Sequence, residues 1–205
     1  QSCGFGTSDI DSHQFWAHDT PREVKEAWSQ LISAGLIDSS NEFYTHQIEM
    51  LRRGIVAGKP GIATSGTGSG KTESFLLPIL AALVDEGVHW ASPDIVSAEP
   101  WWKTDKPFDF YRKGTKRPVA VRAMILYPMN ALVEDQMVRL RKALDSDEAQ
   151  AVMHEKLNGN RIYFGRYTSA TKGKGSHSYR NYYDKKTWEK ETQKEENSLK
   201  DEFLE

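Results

Sequence analysis

Four segments of the chain have apolar residues at the spacing of an amphipathic helix. In the first segment, Val24, Trp28 and Leu31 recur every three or four residues and would form one apolar stripe. Thr20 and Glu23 have the spacing of a capping box at the start of that helix. We expect helices over residues 20–35, 47–57, 71–87 and 130–145.

Three shorter apolar runs have the pattern of buried strands. They cover residues 61–64, 119–127 and 161–167. The run at 119–127 is almost continuously apolar, which is typical of a strand that is buried on both faces of a parallel sheet. Because these runs alternate with the helical segments, the pattern predicts right-handed βαβ units. The expected fold class is α/β, with a parallel sheet flanked by helices.

Two segments break this alternation. Residues 88–118 contain four prolines and three of the six tryptophans, and a connection of that length is uncommon inside a compact domain. The segment is either a surface excursion whose aromatic residues pack locally or a nucleic-acid contact made by its Trp and Lys residues. Residues 171–205 are polar and rich in Lys and Glu, and a basic cluster at 172–186 is either a solvated face or a phosphate contact.

Composition narrows the class of protein. The 205 residues are 38% hydrophobic and 27% charged, which is typical of a globular domain. The net charge of -2 gives no overall attraction to nucleic acid or to anionic membranes, so any polyanion site must be local. Cys3 is the only cysteine, which excludes an intrachain disulfide. No apolar run is long enough to span a bilayer, and we expect a cytoplasmic protein without a membrane partner.

A glycine-rich stretch lies between the run at 61–64 and the helix that begins at Lys71. It reads SGTGSGKT from Ser65 to Thr72. Glycines let main-chain amides point towards an anion, and the helix N-terminus adds partial positive charge. In such a loop the Lys71 ammonium would reach the β- and γ-phosphates, and the Thr72 hydroxyl would bind Mg²⁺. The stretch therefore predicts a site for ATP and Mg²⁺.

This stretch resembles motif I of the superfamily 2 helicases, in which a small residue such as Ser65 commonly stands first. Upstream, Phe43-Tyr44-Thr45-His46-Gln47 resembles the Q motif. Downstream, the ten residues 127–136 (YPMNALVEDQ) are similar to motif Ia. Together these motifs resemble the first RecA-like domain of large bacterial DEAD/DEAH-box helicases, a group that includes DNA-repair helicases and the helicases of DISARM-type anti-phage systems.

The resemblance implies a set of site residues. Lys71 and Thr72 would be catalytic, and Gln47, whose side chain has the donor and the acceptor that the adenine edge requires, would read the base. The remaining nucleotide-binding residues would be Thr67, Gly68, Ser69, Gly70 and Glu73. Those that contact nucleic acid would be Pro128, Met129, Asn130 and Gln136, and, through a weaker match, Arg166 and Thr168, for which simple loop roles stay open. Met129 stands where the family usually has threonine, so the hydroxyl contact is lost there.

The same resemblance divides the chain into regions. Residues 1–42 would be an N-terminal helical extension, residues 43–170 a partial RecA-like domain with an insertion at 88–118, and residues 171–205 a polar loop or tail. No Asp-Glu-x-His or Asp-Glu-Ala-Asp sequence follows motif Ia in this stretch, although the family uses that acidic pair to hold Mg²⁺ and activate water. We therefore expect a piece of a longer motor that is inactive without its second RecA-like domain.

Three functions remain open at this point. The resemblance implies an ATP-dependent helicase or translocase that acts on DNA, or alternatively on RNA, with defence-system subunits as further partners. A different P-loop protein, such as a kinase or small-molecule ATPase, would share the loop without acting on nucleic acid. A scaffold with a vestigial loop would share the sequence without binding ATP.

Overall fold

The computed structural model describes residues 2–6, 16, 19–38, 41–57, 60–64, 66, 68–94, 114–168, 190, 193–194 and 197. The chain divides into two compact units, of which the first comprises residues 1–93 and 116–164 and the second residues 94–115 and 165–205. In the second unit, the Asp94 N–H donates to the Gly114 carbonyl at 2.9 Å. Most of the predicted insertion and tail, including the basic cluster at 172–186, lies outside the described residues.

Five α-helices are described, and all of them belong to the first unit. They are α1 (Arg22–Gly35), α2 (Thr45–Arg52), α3 (Lys71–Gly87), α4 (Asn130–Asp145) and α5 (Asp147–Lys156). The four predicted helices are confirmed, although the last part of the second, Arg53–Ala57, is a π-helical turn. Among the described residues, no helix is long and apolar enough to cross a membrane.

Two local expectations about helix starts need correction. Helix α1 has Pro21 at its N-cap and no side-chain cap, so the predicted capping box of Thr20 and Glu23 is wrong. Proline fits this position because the amide it lacks would have had no intrahelical partner. Helix α5 was not predicted, but the sequence held a signal for it: the Ser146 hydroxyl caps its first turn by accepting from the Ala149 N–H at 3.2 Å.

The described strands form one small antiparallel pair. Strand β1 (Ser2–Gly6) pairs with β2 (Glu42–Tyr44), so that Ser2 lies opposite Tyr44 and Gly6 lies opposite Glu42. Neither strand was predicted from the sequence. The pairing attaches the beginning of the chain to the segment that leads directly into α2, where Gln47 lies.

The predicted parallel sheet is not observed among the described residues. The segments 61–64, 119–127 and 161–167 form no strand pairing. In the first two segments most apolar side chains are open to solvent, with Ile62 91% exposed and Leu126 82% exposed, whereas Ile162 of the third is buried in the core. A parallel sheet is stable only when helices cover both of its faces, and these apolar side chains have no such cover within the described part of the chain.

The hydrophobic core of the first unit forms around α1. The predicted stripe of Val24, Trp28 and Leu31 is fully buried, and α1 packs against α3, α4 and α5. Burial of each such side chain contributes about 1.5–3 kcal/mol. The Trp28 indole N–H donates to the Leu77 carbonyl of α3 at 3.1 Å, so its only polar atom is satisfied inside the core. This packing fixes α3, the helix that follows the glycine-rich loop.

Candidate functional site

Gln47 ties α2 to the glycine-rich loop. Its side chain is only 4% exposed, and its Nε2 donates to the Gly70 carbonyl at 3.0 Å. Its Oε1 accepts from the Tyr44 N–H at 2.9 Å. The structure therefore places Gln47 against the loop, with its donor and acceptor both used by main-chain groups, and the reading of an adenine edge stays a prediction.

Two glycines give the loop its path. Gly68 and Gly70 have φ angles of 73° and 69°, in the left-handed region that is costly for residues with a Cβ. At Gly70 a Cβ would also lie 2.3 Å from Gln47 Nε2. The residue before Lys71 must therefore be glycine if Gln47 is to hold the loop. Ser65 and Thr67 lie outside the described residues.

Two side chains of the loop, those of Ser69 and Lys71, donate hydrogen bonds to the same main-chain carbonyl. The Ser69 hydroxyl donates to the Gly66 carbonyl at 2.7 Å, and the Lys71 ammonium donates to the same oxygen at 3.1 Å. Lys71 is exposed, so its ammonium lies at the surface of the loop. A triphosphate would attract this ammonium more strongly than a neutral carbonyl does, because its oxygens carry full negative charge.

The start of α3 completes an anion site. Gly70 is the N-cap residue and offers no side-chain cap to the first turn, where amide groups lack helical partners. Those amides and the helix dipole favour a phosphate in this position. The residues present thus fit ATP: the loop amides and Lys71 would hold its phosphates, and bound ATP would supply a transferable phosphoryl group.

Thr72 is the candidate Mg²⁺ ligand. It lies in the first turn of α3 and is partly buried. Within the described residues, no group of three or more His, Cys, Asp or Glu side chains is placed to hold a metal ion. Mg²⁺ bound together with phosphates needs only one or two protein ligands, so the single hydroxyl is compatible with the predicted role, which stays a prediction.

Glu73 lies beside the loop and reaches α4: a Cβ at Gly70 would be 3.3 Å from its Oε2. Its Oε1 lies 2.8 Å from Arg139 Nη1, and its side chain is only 15% exposed. The predicted contact of Glu73 with the nucleotide stays a prediction beside this ion pair to another helix. Arg139 was not among the residues predicted from the sequence. Its spacing of four from Asp135 was a signal for an ion pair on a helix face, but only the structure brings Glu73 to it.

The candidate nucleic-acid residues of motif Ia surround the beginning of α4. Pro128, Met129 and Asn130 are exposed, and Met129 is the N-cap residue without a side-chain cap. Gln136 lies two turns into the helix, and its Nε2 donates to Asp135 Oδ2 at 3.1 Å. The arrangement leaves an exposed helix start that can accept a phosphate from a nucleic-acid strand.

Arg166 and Thr168 belong to the second compact unit. Arg166 is exposed, whereas Thr168 is only 9% exposed. The exposure of Arg166 suits a phosphate contact, and the burial of Thr168 favours the simple loop role that the sequence analysis left open for it. The contacts of both with nucleic acid remain predictions.

Comparison with known proteins identifies the family. The family model described as DEAD/DEAH box helicase matches residues 44–171. The chain belongs to this helicase family. The matched range begins at Tyr44, which holds Gln47 through its N–H, and it includes the glycine-rich loop and motif Ia. Membership implies a RecA-like fold for this helicase domain.

The helicase domain also has a curated relative. Over 162 residues, or 78% of its length, this chain is 37% identical to Druantia protein DruE of Escherichia coli (strain UMEA 4076-1). The chain spans 8% of the length of that relative. No solved structure matches the chain.

Proposed function

We propose that this chain is part of an ATP-dependent helicase or translocase that acts on nucleic acid, with DNA as its substrate, in the cytoplasm. The main support for this proposal is the hydrogen bond from Gln47 to the Gly70 carbonyl, because it joins the Q motif to the loop in front of α3. Lys71 and Thr72 would bind the phosphates and Mg²⁺, and the start of α4 would bind the nucleic-acid strand. Family membership supports both assignments.

Strand movement would require a second RecA-like domain in the same parent chain. Closure of two lobes on ATP and their reopening after hydrolysis would move the strand held at α4. The chain contains the groups proposed to bind, whereas the Asp-Glu-x-His or Asp-Glu-Ala-Asp sequence of motif II is not in it. We therefore expect binding by this chain and hydrolysis only by the longer protein.

The test is substitution of Lys71 in the full-length protein. Lys71→Ala should abolish ATP hydrolysis stimulated by nucleic acid, because it removes the ammonium that neutralises the phosphates. The matched control is Lys142→Ala, since Lys142 is an exposed lysine of α4. Steady-state ATPase assays with and without single-stranded DNA give the measurement, and circular dichroism verifies the fold. Retention of stimulated hydrolysis by Lys71→Ala would contradict the proposal.

The same assay separates the alternative functions. A P-loop kinase or small-molecule ATPase would hydrolyse or transfer phosphate at a rate that neither DNA nor RNA changes. Comparison of DNA with RNA oligonucleotides of the same sequence decides the substrate class. Larger stimulation by RNA would overturn the assignment to DNA.

We further propose a role in anti-phage defence together with partner subunits. The resemblance to the helicases of DISARM-type systems supports this role. Cells that carry the intact system should form fewer phage plaques than cells that carry the Lys71→Ala variant. Equal plaque numbers across a panel of phages would contradict a defence role and leave the helicase assignment intact.

A further inference from the structure

Arg139 connects the nucleotide helix to the motif Ia helix. It lies in the middle of α4, and its Nη1 is 2.8 Å from Glu73 Oε1 in the first turn of α3. Within the described residues, α4 packs mainly against α1 and α5. The ion pair is therefore a direct contact between two helices that otherwise touch little.

A second contact extends this connection along α4. Arg139 Nε lies 3.7 Å from Asp135 Oδ2, and the same oxygen accepts from Gln136 Nε2 at 3.1 Å. Glu73, Arg139, Asp135 and Gln136 thus form a continuous polar network. One end lies one residue after Thr72 at the nucleotide site, and the other end is the candidate nucleic-acid residue Gln136.

The Tyr127 hydroxyl lies close enough to Arg139 and Asp135 for their charges to affect its pKa. The Tyr127 hydroxyl is buried and has no hydrogen-bond partner among the described residues. Burial raises the pKa of Tyr127, the charge of Arg139 opposes this rise, and that of Asp135 adds to it. The hydroxyl therefore lies beside the charged network without taking part in its hydrogen bonds.

We propose that Arg139 is a positioning residue that couples nucleotide binding at α3 to nucleic-acid binding at α4 by holding Glu73 and Asp135 together. The inference rests on the proposed function. Phosphates bound in front of α3 attract the Arg139 guanidinium and repel the Glu73 carboxylate. A shift of Arg139 between its two carboxylate partners changes how Asp135 holds the Gln136 amide, and this transmits the state of the nucleotide site to motif Ia.

Reciprocal binding measurements on the full-length protein test the coupling. The affinity for a fluorescent, non-hydrolysable ATP analogue is measured with and without a saturating single-stranded DNA oligonucleotide. In the unmodified protein we expect DNA to change this affinity by a factor of about 5–150, the usual range for coupled sites. In Arg139→Gln that factor should fall to about one, whatever the lost charge does to the affinity for the ATP analogue alone. Arg139→Lys keeps the charge and should retain part of the coupling.

Arg141→Gln is the matched control. Arg141 is an exposed arginine on the same helix, so this variant removes the same charge from α4, and its coupling factor should equal that of the unmodified protein. Equal factors in Arg139→Gln and the unmodified protein would overturn the inference alone, as would equal losses in both arginine variants. Absence of any DNA effect on this affinity in the unmodified protein would also overturn the inference, whereas the proposed function falls only if DNA fails to stimulate ATP hydrolysis as well.

Discussion

Single residues decide the shape of the nucleotide loop. Gly70 lies between Gln47 and Lys71, and its left-handed conformation brings its carbonyl within 3.0 Å of the Gln47 amide. A residue with a Cβ at this position would both strain the backbone and collide with that amide. The loop therefore depends on glycine at position 70 for two separate physical reasons.

Alanine at two glycine positions tests this dependence. Gly70→Ala should weaken ATP binding about tenfold or more, because the left-handed conformation costs about 1–2 kcal/mol with a Cβ and Gln47 must also move. Gly66→Ala is the control, since a Cβ there would meet no described atom within 4 Å. Titration of the full-length protein with a fluorescent ATP analogue measures both affinities. Equal affinities in the two variants would show that the loop is shaped by something other than Gly70.

At the scale of the elements, an ion pair between Glu86 and Arg122 joins the C-terminal end of α3 to the segment 119–127. Glu86, near the C-terminus of α3, accepts hydrogen bonds from Arg122 Nε at 2.6 and 2.7 Å and from the Trp90 indole at 3.1 Å. The hydrogen bond from Arg122 is the main cause that holds the pKa of Glu86 below its ordinary value, and burial works against it. Glu86 thus attaches α3 to the segment 119–127.

The lowered pKa predicts how stability depends on pH. Since the folded state favours ionised Glu86, the pair stabilises the protein at pH values above the ordinary glutamate pKa, and this stabilisation is lost as the pH falls through the lowered pKa. Glu86→Gln should reduce the free energy of unfolding at neutral pH by less than about 1 kcal/mol, because the pair is partly exposed. The difference between the variant and the unmodified chain should vanish in acid.

Urea unfolding followed by circular dichroism over a series of pH values measures this effect. Asp85→Asn is the control, since it removes one exposed negative charge from the neighbouring position of α3. A difference between Glu86→Gln and the unmodified chain that persists in acid would show that the glutamate acts through packing rather than through its charge.

At the scale of the whole molecule, the segments predicted to form a parallel sheet are not paired as strands among the described residues. The segment 119–127 is apolar, yet Val119, Val121 and Leu126 are each more than 80% exposed. The chain spans 8% of the length of its relative DruE, and membership of the helicase family implies a RecA-like fold. We propose that the segments 61–64 and 119–127 become strands of a parallel sheet when a longer parent chain supplies neighbouring strands and covering helices.

Hydrogen–deuterium exchange tests this proposal. Peptides from residues 119–127 should exchange much more slowly in the full-length protein than in the 205-residue chain, because strand pairing protects main-chain amides. Peptides from α3 should exchange at similar rates in both, since its core contacts lie within this chain. Equally fast exchange of 119–127 in both proteins would contradict the proposed sheet.

The sequence by itself located four of the five described α-helices and predicted the chemistry of the loop. Periodicity over 20–35 and 130–145 located α1 and α4, because a helix that buries one face must place its apolar residues three or four apart. The prediction of a phosphate site likewise came from the loop residues alone. These properties are local, so a stretch of about ten residues carries the necessary information.

Only the tertiary structure decided which distant residues meet. The β1–β2 pairing, the contact of Gln47 with Gly70 and the ion pair of Glu73 with Arg139 join positions that are far apart in the chain. No local pattern records such pairs, because they depend on how α1 orders α3 and α4 around it. The same reason explains the absence of strand pairing over 119–127: a sheet forms only where neighbouring strands and covering helices are present.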